Sequence, residues 1–307
     1  MAIEIAVMEK KSTASAMVSE SPWRMAMRRF GRNRLALVGL VILLIMSLAC
    51  IFGPMISPYN LYDYSVANKN KPPSSSHWFG TDKLGRDILL RVLLAGRISL
   101  LVGIVATIIT VIIGGILGAL AGFYRKSVDS IIMRVTDIFM SLPTLPILII
   151  LGAVLSDLKV PPDKRIYYLM LIIGLLSWTT LARLVRGQIL TLREQEFMVA
   201  TDALGLKDRR KIFRHLLPNT IPIIIVTATL SVAGAILYES SMSFLGLGVI
   251  PPTPSWGNLI SDANNLIDFR KRPWLWIPPG MCILITTVAI NLIGDGLRDA
   301  FDPKMKR

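Results

Sequence analysis

The sequence predicts an all-α protein, a polytopic helical bundle in a membrane, and three observations carry that prediction. Of its 307 residues 53% are hydrophobic and only 18% are charged, whereas a soluble domain carries about a quarter charged residues. The apolar residues arrive in blocks: 35–55 and 98–122 hold no charge, and each reaches the roughly 20 residues that cross a hydrocarbon core. The net charge of +14, from 34 Lys and Arg against 20 Asp and Glu, gathers between the blocks, as basic residues do in cytoplasmic loops. This composition excludes an ordinary soluble enzyme, a disordered chain and a small disulfide scaffold. Cys50 and Cys282 both fall inside apolar blocks and read as small packing residues.

Six spans follow in order: 35–55, 98–123, 137–155, 166–184, 221–241 and 277–297. The first is longer than the apolar core of a signal peptide, and Phe52-Gly53-Pro54-Met55 is no small-residue cleavage site, so the segment is expected to be retained. Before it, Trp23, Met27 and Phe30 recur at helical spacing among Arg24, Arg28 and Arg29. That pattern fits a short interfacial helix and fits a solvated basic tail equally well. The second span carries Gly114, Gly118 and Gly122 at four-residue intervals, a bare stripe that lets another helix backbone come close. Pro143 and Pro146 interrupt the third span and predict a kink, and Arg183 closes the fourth. The chain thus divides into a cytoplasmic segment 1–34, a first span with a long outer loop 35–97, a five-helix core 98–298 containing the loop 186–218, and a tail 299–307.

With both termini in the cytoplasm, 22 of the 34 basic residues lie inside and 12 outside, the favoured orientation. The positive charge is then a topology signal, with no need of a nucleic-acid partner. The deepest acids, Asp137, Glu239 and Asp295, fall near span ends and read as interfacial or capping carboxylates, which gives little support to a proton-coupled carrier. The two histidines, His77 and His215, are assigned to opposite sides and cannot share a metal or a catalytic site. No Gly-Lys dipeptide occurs, so a phosphate-cradling Walker loop is absent. An ATP-driven protein of this sequence needs another chain to bind the nucleotide.

The most informative polar stretch runs from Arg186 to Pro218. Phe197, Ala200, Ala203 and Leu204 recur at three- and four-residue intervals, Gly205 suits a helix stop, and a basic amphipathic segment follows. Two short helices joined at Gly205 are expected, with Pro218 at the start of the next span.

Here the sequence resembles a known family. Ala200, Gly205, Leu217 and Pro218 are spaced as in the EAA loop of permease subunits of ATP-binding-cassette importers: Glu-Ala-Ala, three residues, Gly, nine residues, Ile, one residue, Leu-Pro. Val199 stands in place of the family's Glu, Thr201 in place of the second Ala, and His215 in place of the Ile. Further blocks resemble the second membrane subunit of dipeptide, oligopeptide and nickel importers. They are Gly80-Thr81-Asp82-Lys83-Leu84-Gly85-Arg86-Asp87, then Ser243 to Gly248 with Pro251 to Gly257, then Asn291 to Asp299 with Asp302-Pro303-Lys304.

The resemblance implies a type I importer permease fold in a bacterial-type cytoplasmic membrane. It also implies a homologous permease partner, two ATPase subunits that carry ATP and Mg, an external substrate-binding protein, and no cofactor on this chain. It assigns Val199, Ala200, Thr201, Asp202, Ala203, Leu204, Gly205, Leu206, Arg209 and Arg210 to a coupling helix that docks on the ATPase. Asp82, Gly85, Arg86 and Asp87 are candidates for docking the binding protein, although two carboxylates around an arginine and a glycine turn also make a self-ordering loop. Asn291 and Asp295, one turn apart, are candidates for the subunit interface or the pathway. Two other classes fit less well. A secondary transporter would show a broken-helix repeat, and a membrane-embedded enzyme would place a nucleophile or metal cluster at one depth.

Overall fold

The computed structural model describes residues 22–302, and among these every regular element is a helix. Besides two 3-10 turns, Val66–Asn68 and Pro273–Leu275, they are in chain order α1 (Pro22–Phe30), α2 (Arg34–Ile56), α3 (Ile88–Tyr124), α4 (Lys126–Ser141), α5 (Thr144–Asp157) and α6 (Pro162–Leu192). Then come α7 (Glu196–Ala203), α8 (Asp208–Arg210), a π-helical turn (Lys211–Leu216), α9 (Leu217–Asn219), α10 (Ile221–Phe244), α11 (Trp256–Ser261), α12 (Leu266–Lys271) and α13 (Ile277–Phe301). Five of them, α2, α3, α6, α10 and α13, are long and apolar enough to cross a membrane. The third expected span is instead a pair, α4 and α5, bent by 82° at Leu142-Pro143. Pro143 and Pro146 do more than kink a helix: with two amide donors missing, the α-helical ladder stops and restarts.

Helix α3 is the mast. Its 37 residues reach about 55 Å, well beyond a core of roughly 30 Å, and three apolar clusters are threaded along it. Near its start, Val92 and Ala95 meet Cys50, Ile236, Trp256 and Ile290. Midway, Val102 and Ala106 meet Leu148, Ile173 and Met242. Near its end, Ala119 and Phe123 meet Val185, Ile189, Met198, Ile212 and Leu216. The glycine stripe faces α6: a methyl group added at Gly114 would lie 2.8 Å from the Trp178 carbonyl oxygen, and at Gly118 2.5 Å from that of Ala182. At Gly122 it would lie 2.8 Å from Cβ of Ile189. Both cysteines are free thiols, and they pack around the first cluster.

The spans run longer than the sequence reading drew them. Helix α3 begins ten residues before Ile98, and α6 continues past Leu184 to Leu192, so Arg183 lies within a helix rather than closing it. The tail expected from residue 299 is helical through Phe301. Of the segment 1–34, residues 1–21 lie outside the described residues, and α1 packs on α13, with Ala26 buried and the Trp23 ring edge-on to Phe301 at 5.4 Å. The Arg29 guanidinium donates to the Asp302 carbonyl oxygen at 2.9 Å.

Candidate functional sites: a lever loop and an ordered long loop

At the end of the bundle that carries α1 and the end of α13, residues 193–220 form a loop of short helices. Gly205 has φ +63° and joins α7 to α8. A left-handed residue is costly for anything with a Cβ, and here it closes α7 by letting the Leu206 N–H reach back to the Thr201 carbonyl at 3.1 Å. Two short helices joined at Gly205 were expected and are present. The second is a single turn that widens into the π-helical turn, through which Ile212 and Leu216 reach the third cluster.

The loop buries one face and exposes the other. Met198 and Thr201 point inward, with the Thr201 hydroxyl donating to the Met198 carbonyl oxygen at 2.7 Å. Val199 is 64% exposed and Leu204 78%. Ala200, Asp202, Ala203, Gly205, Arg209 and Arg210 are exposed as well, and Leu206 is half-buried. The apolar stripe read from the sequence therefore turns largely away from this chain. Lys211 Nζ bonds Asp202 at 2.6 Å and braces α7 against the π-helical turn.

At the opposite end, the loop 57–87 is wired through its charges. Asp82 is 1% exposed and takes Arg86 Nε at 2.7 Å and Arg91 Nη1 at 2.6 Å, while Arg91 also reaches Asp262 at 3.0 Å. Asp87 caps α3 through the Leu90 N–H at 2.8 Å and pairs with His77 Nδ1 at 2.9 Å. Gly85 has φ +77°, and a Cβ there would sit 2.0 Å from the Ser65 carbonyl oxygen. The side chains of Asp82, Arg86 and Asp87 are thus buried inside the loop and order it. The surface they support exposes Trp78 and Leu84, and the half-buried Lys83 reaches Asp268 of α12 at 2.9 Å. Asp268 is buried as well. Burial opposes its ionisation, but hydrogen bonds from Lys83, Asn265 and Arg272 together with the Lys83 charge hold its pKa below the ordinary 3.8.

These two sites sit on a chain whose relatives are known. The family model described as the inner membrane component of binding-protein-dependent transport systems matches residues 114–307, and the N-terminal transmembrane domain of oligopeptide transport permease C matches residues 21–73. The chain belongs to this permease family. It is 42% identical to the oligopeptide transport system permease protein OppC of Bacillus subtilis, over 94% of this chain and 92% of that protein. Against a putative peptide permease of Brucella suis the identity is 41%, over 96% and 95%. It is also 40% identical to the dipeptide transport system permease protein DppC of Alkalihalophilus pseudofirmus, over 93% and 91%. The protein is accordingly a multi-pass inner membrane permease.

Of the remaining permease candidates, Asn291 and Asp295 are exposed on one face of α13. One of the three deep acids, Glu239, is neither a capping nor an interfacial group. Glu239 is fully buried in α10 and accepts hydrogen bonds from the hydroxyls of Ser99 and Ser243, each at 2.7 Å. Those hydroxyls in turn accept the N–H groups of Trp256 and Val249, so the carboxyl pins the segment after α10 to α3. Asp137 pairs with Arg183 across α4 and α6. The run Glu239-Ser240-Ser241-Met242-Ser243 was the available signal for the buried carboxyl, because serines one turn away on a helix can satisfy it without solvent.

Proposed function

We propose that this permease forms one half of the translocation pathway of an ATP-driven importer of di- or oligopeptides, or of related small solutes such as nickel chelates. It pairs with a homologous permease, stands on two ATPase subunits that bind ATP and Mg, and receives substrate from an external binding protein. The chain itself is a non-catalytic subunit with both termini in the cytoplasm, so that residues 193–220 face the ATPase and residues 57–87 face the binding protein. The peptide reading rests on the named relatives. The coupling reading rests on one observation above all: α7 leaves Val199, Ala200, Ala203 and Leu204 uncovered on a loop rich in basic residues.

An exposed apolar row is stabilised by a partner that covers it, and π-turn packing into the third cluster gives any push on α7 a rigid route to α3 and α6. Alternating access requires such a two-state element biased by the partner. Asp82, Gly85, Arg86 and Asp87 shape the opposite surface, and docking there falls to the exposed Trp78 and Leu84. Asn291 and Asp295 face the second permease or the pathway. Purification in mild detergent with peptide uptake in proteoliposomes tests the reading. ATPase subunits should copurify and ATP should drive uptake, whereas their consistent absence refutes it.

A further inference from the structure

Two ion pairs join α4 to α6, and they differ in one respect. Arg186 grips Asp129 with both arms, Nε to Oδ1 at 2.5 Å and Nη2 to Oδ2 at 2.6 Å, so the geometry is closed. Arg183, nearly one turn away on α6, meets Asp137 through Nη2 and Oδ1 alone. Its remaining guanidinium donors and the second Asp137 oxygen make no side-chain bond within the described residues, and both side chains are open to the surroundings. Arg183 lies within α6, about 9 Å along the axis from its midpoint. Charges so placed face a bundle interior or an aqueous cavity rather than lipid.

The break between α4 and α5 points to the same surface. Backbone that leaves the helical ladder at membrane depth is tolerated where protein covers it or where it lines a water-filled space. Leu142 and Thr144, on either side of Pro143, line a hollow of about 530 Å³ between the bent pair, α6 and α10. Hydroxyls of Thr144, Ser177, Thr180, Thr227, Ser231 and Tyr238 border it, and no charged residue does. Thr179 and Thr180 stand one turn before Arg183 on α6, and Met140 one turn after Asp137 on α4, so the open ion pair adjoins the rim. The volume is within the range of small-molecule sites.

We propose that this hollow is a transit site for zwitterionic peptides, and that Arg183 and Asp137 exchange their mutual bond for the peptide's carboxylate and ammonium as it passes. Ser177, Thr227 and Ser231 give their protons to carbonyls of their own helices and keep lone pairs that accept, while Thr144, Thr180 and Tyr238 supply donors, a set that serves a peptide backbone of any sequence and suits a conduit that must not hold its cargo. The pair supplies charge only where the cargo has it and closes on itself when empty. Arg186–Asp129 meanwhile keeps α4 and α6 in register, so the exchange need not part the helices. The proposal rests on the peptide-importer reading above.

The test uses the complete importer, with its partner subunits and binding protein, in proteoliposomes. After Cys50 and Cys282 are replaced by Ala, Thr180→Cys and Ser231→Cys should react with a membrane-impermeant thiosulfonate, and a dipeptide delivered by the binding protein should slow that reaction. Arg183→Gln should lower uptake of a dipeptide with a free carboxylate about tenfold more than uptake of its C-terminal amide, the loss of roughly one charge-assisted bond. Arg183→Lys should restore most of the difference, which separates recognition from misfolding. Cysteines that stay unreactive, or an Arg183→Gln defect equal for the two peptides, overturn the transit site while peptide uptake by the unaltered importer continues. If the unaltered importer takes up neither peptide, the peptide-importer reading fails instead.

Discussion

The loops at the two ends of this permease solve opposite problems. Residues 57–87 turn charged side chains inward and satisfy them within the chain: Asp82 with Arg86 and Arg91, Asp87 with His77 and the first turn of α3. Residues 193–220 leave Val199, Leu204 and Phe213 in the open. A loop that buries its charges in pairs has finished its own structure, because an unpaired charge there would be prohibitively costly. A loop that exposes its apolar row is unfinished until another surface covers it. The long loop exposes apolar groups too, Trp78 and Leu84 among them, so the difference lies in the buried charge pairs that order it from within, which the loop proposed to meet the ATPase lacks.

The strongest way to break this comparison is Asp82→Ala. It strands Arg86 in a buried site and leaves Arg91 with Asp262 alone, a loss of roughly 3–5 kcal/mol for a broken buried pair. Thermal unfolding in detergent should shift down sharply, with new protease cleavage within 57–87. A change too small to detect would mean that the charges do not hold the loop. Gly205→Val comes next. A β-branched residue at φ +63° costs about 1–3 kcal/mol locally, and the loop lies outside the spans, so membrane insertion should be normal. ATP-driven uptake should fall steeply because α7 is misaimed, and normal uptake would contradict the lever.

Much of this architecture was legible in hydropathy, and the misplaced boundaries share one cause. A charged residue ends an apolar window, yet Arg91, Arg97 and Arg183 all lie inside helices. Arg91 is neutralised by Asp82 of the preceding loop and by Asp262, distant in sequence. Arg97 donates to the Cys50 carbonyl oxygen at 2.7 Å, the group that Pro54 four residues on leaves without a helical donor. Such partners come from other elements, so no local window registers them. The same blindness hid Glu239, whose hydroxyl donors come partly from α3. Gly205 was legible because its requirement is local: a left-handed stop between two periodic runs. Which face of α7 is free was not, since it depends on where Met198 finds the third cluster.

Leu204→Glu sharpens the comparison from the other side. Leu204 is exposed, and a surface substitution of this kind changes stability by no more than about 0.5 kcal/mol. The isolated permease should therefore unfold at its usual temperature while ATPase subunits copurify less well. A large destabilisation would show that the lever is finished within the chain after all.

Asp268 gives the finest test, because its ion pair joins the long loop to α12 and leaves the rest of both loops untouched. Its folded pKa lies below the ordinary 3.8. The stabilisation it provides is therefore complete above that value and drains away as pH falls through it toward the folded pKa. Between neutral pH and about pH 5 the contribution should be flat, and in more acidic buffer the unfolding midpoint of the native permease should fall further than that of Asp268→Asn. The variant has already lost the charge, so its profile lacks this component. A parallel acid profile for both proteins would mean that the Lys83–Asp268–Arg272 cluster carries no net electrostatic stabilisation. The order of the long loop would then rest on Asp82 and Asp87 alone.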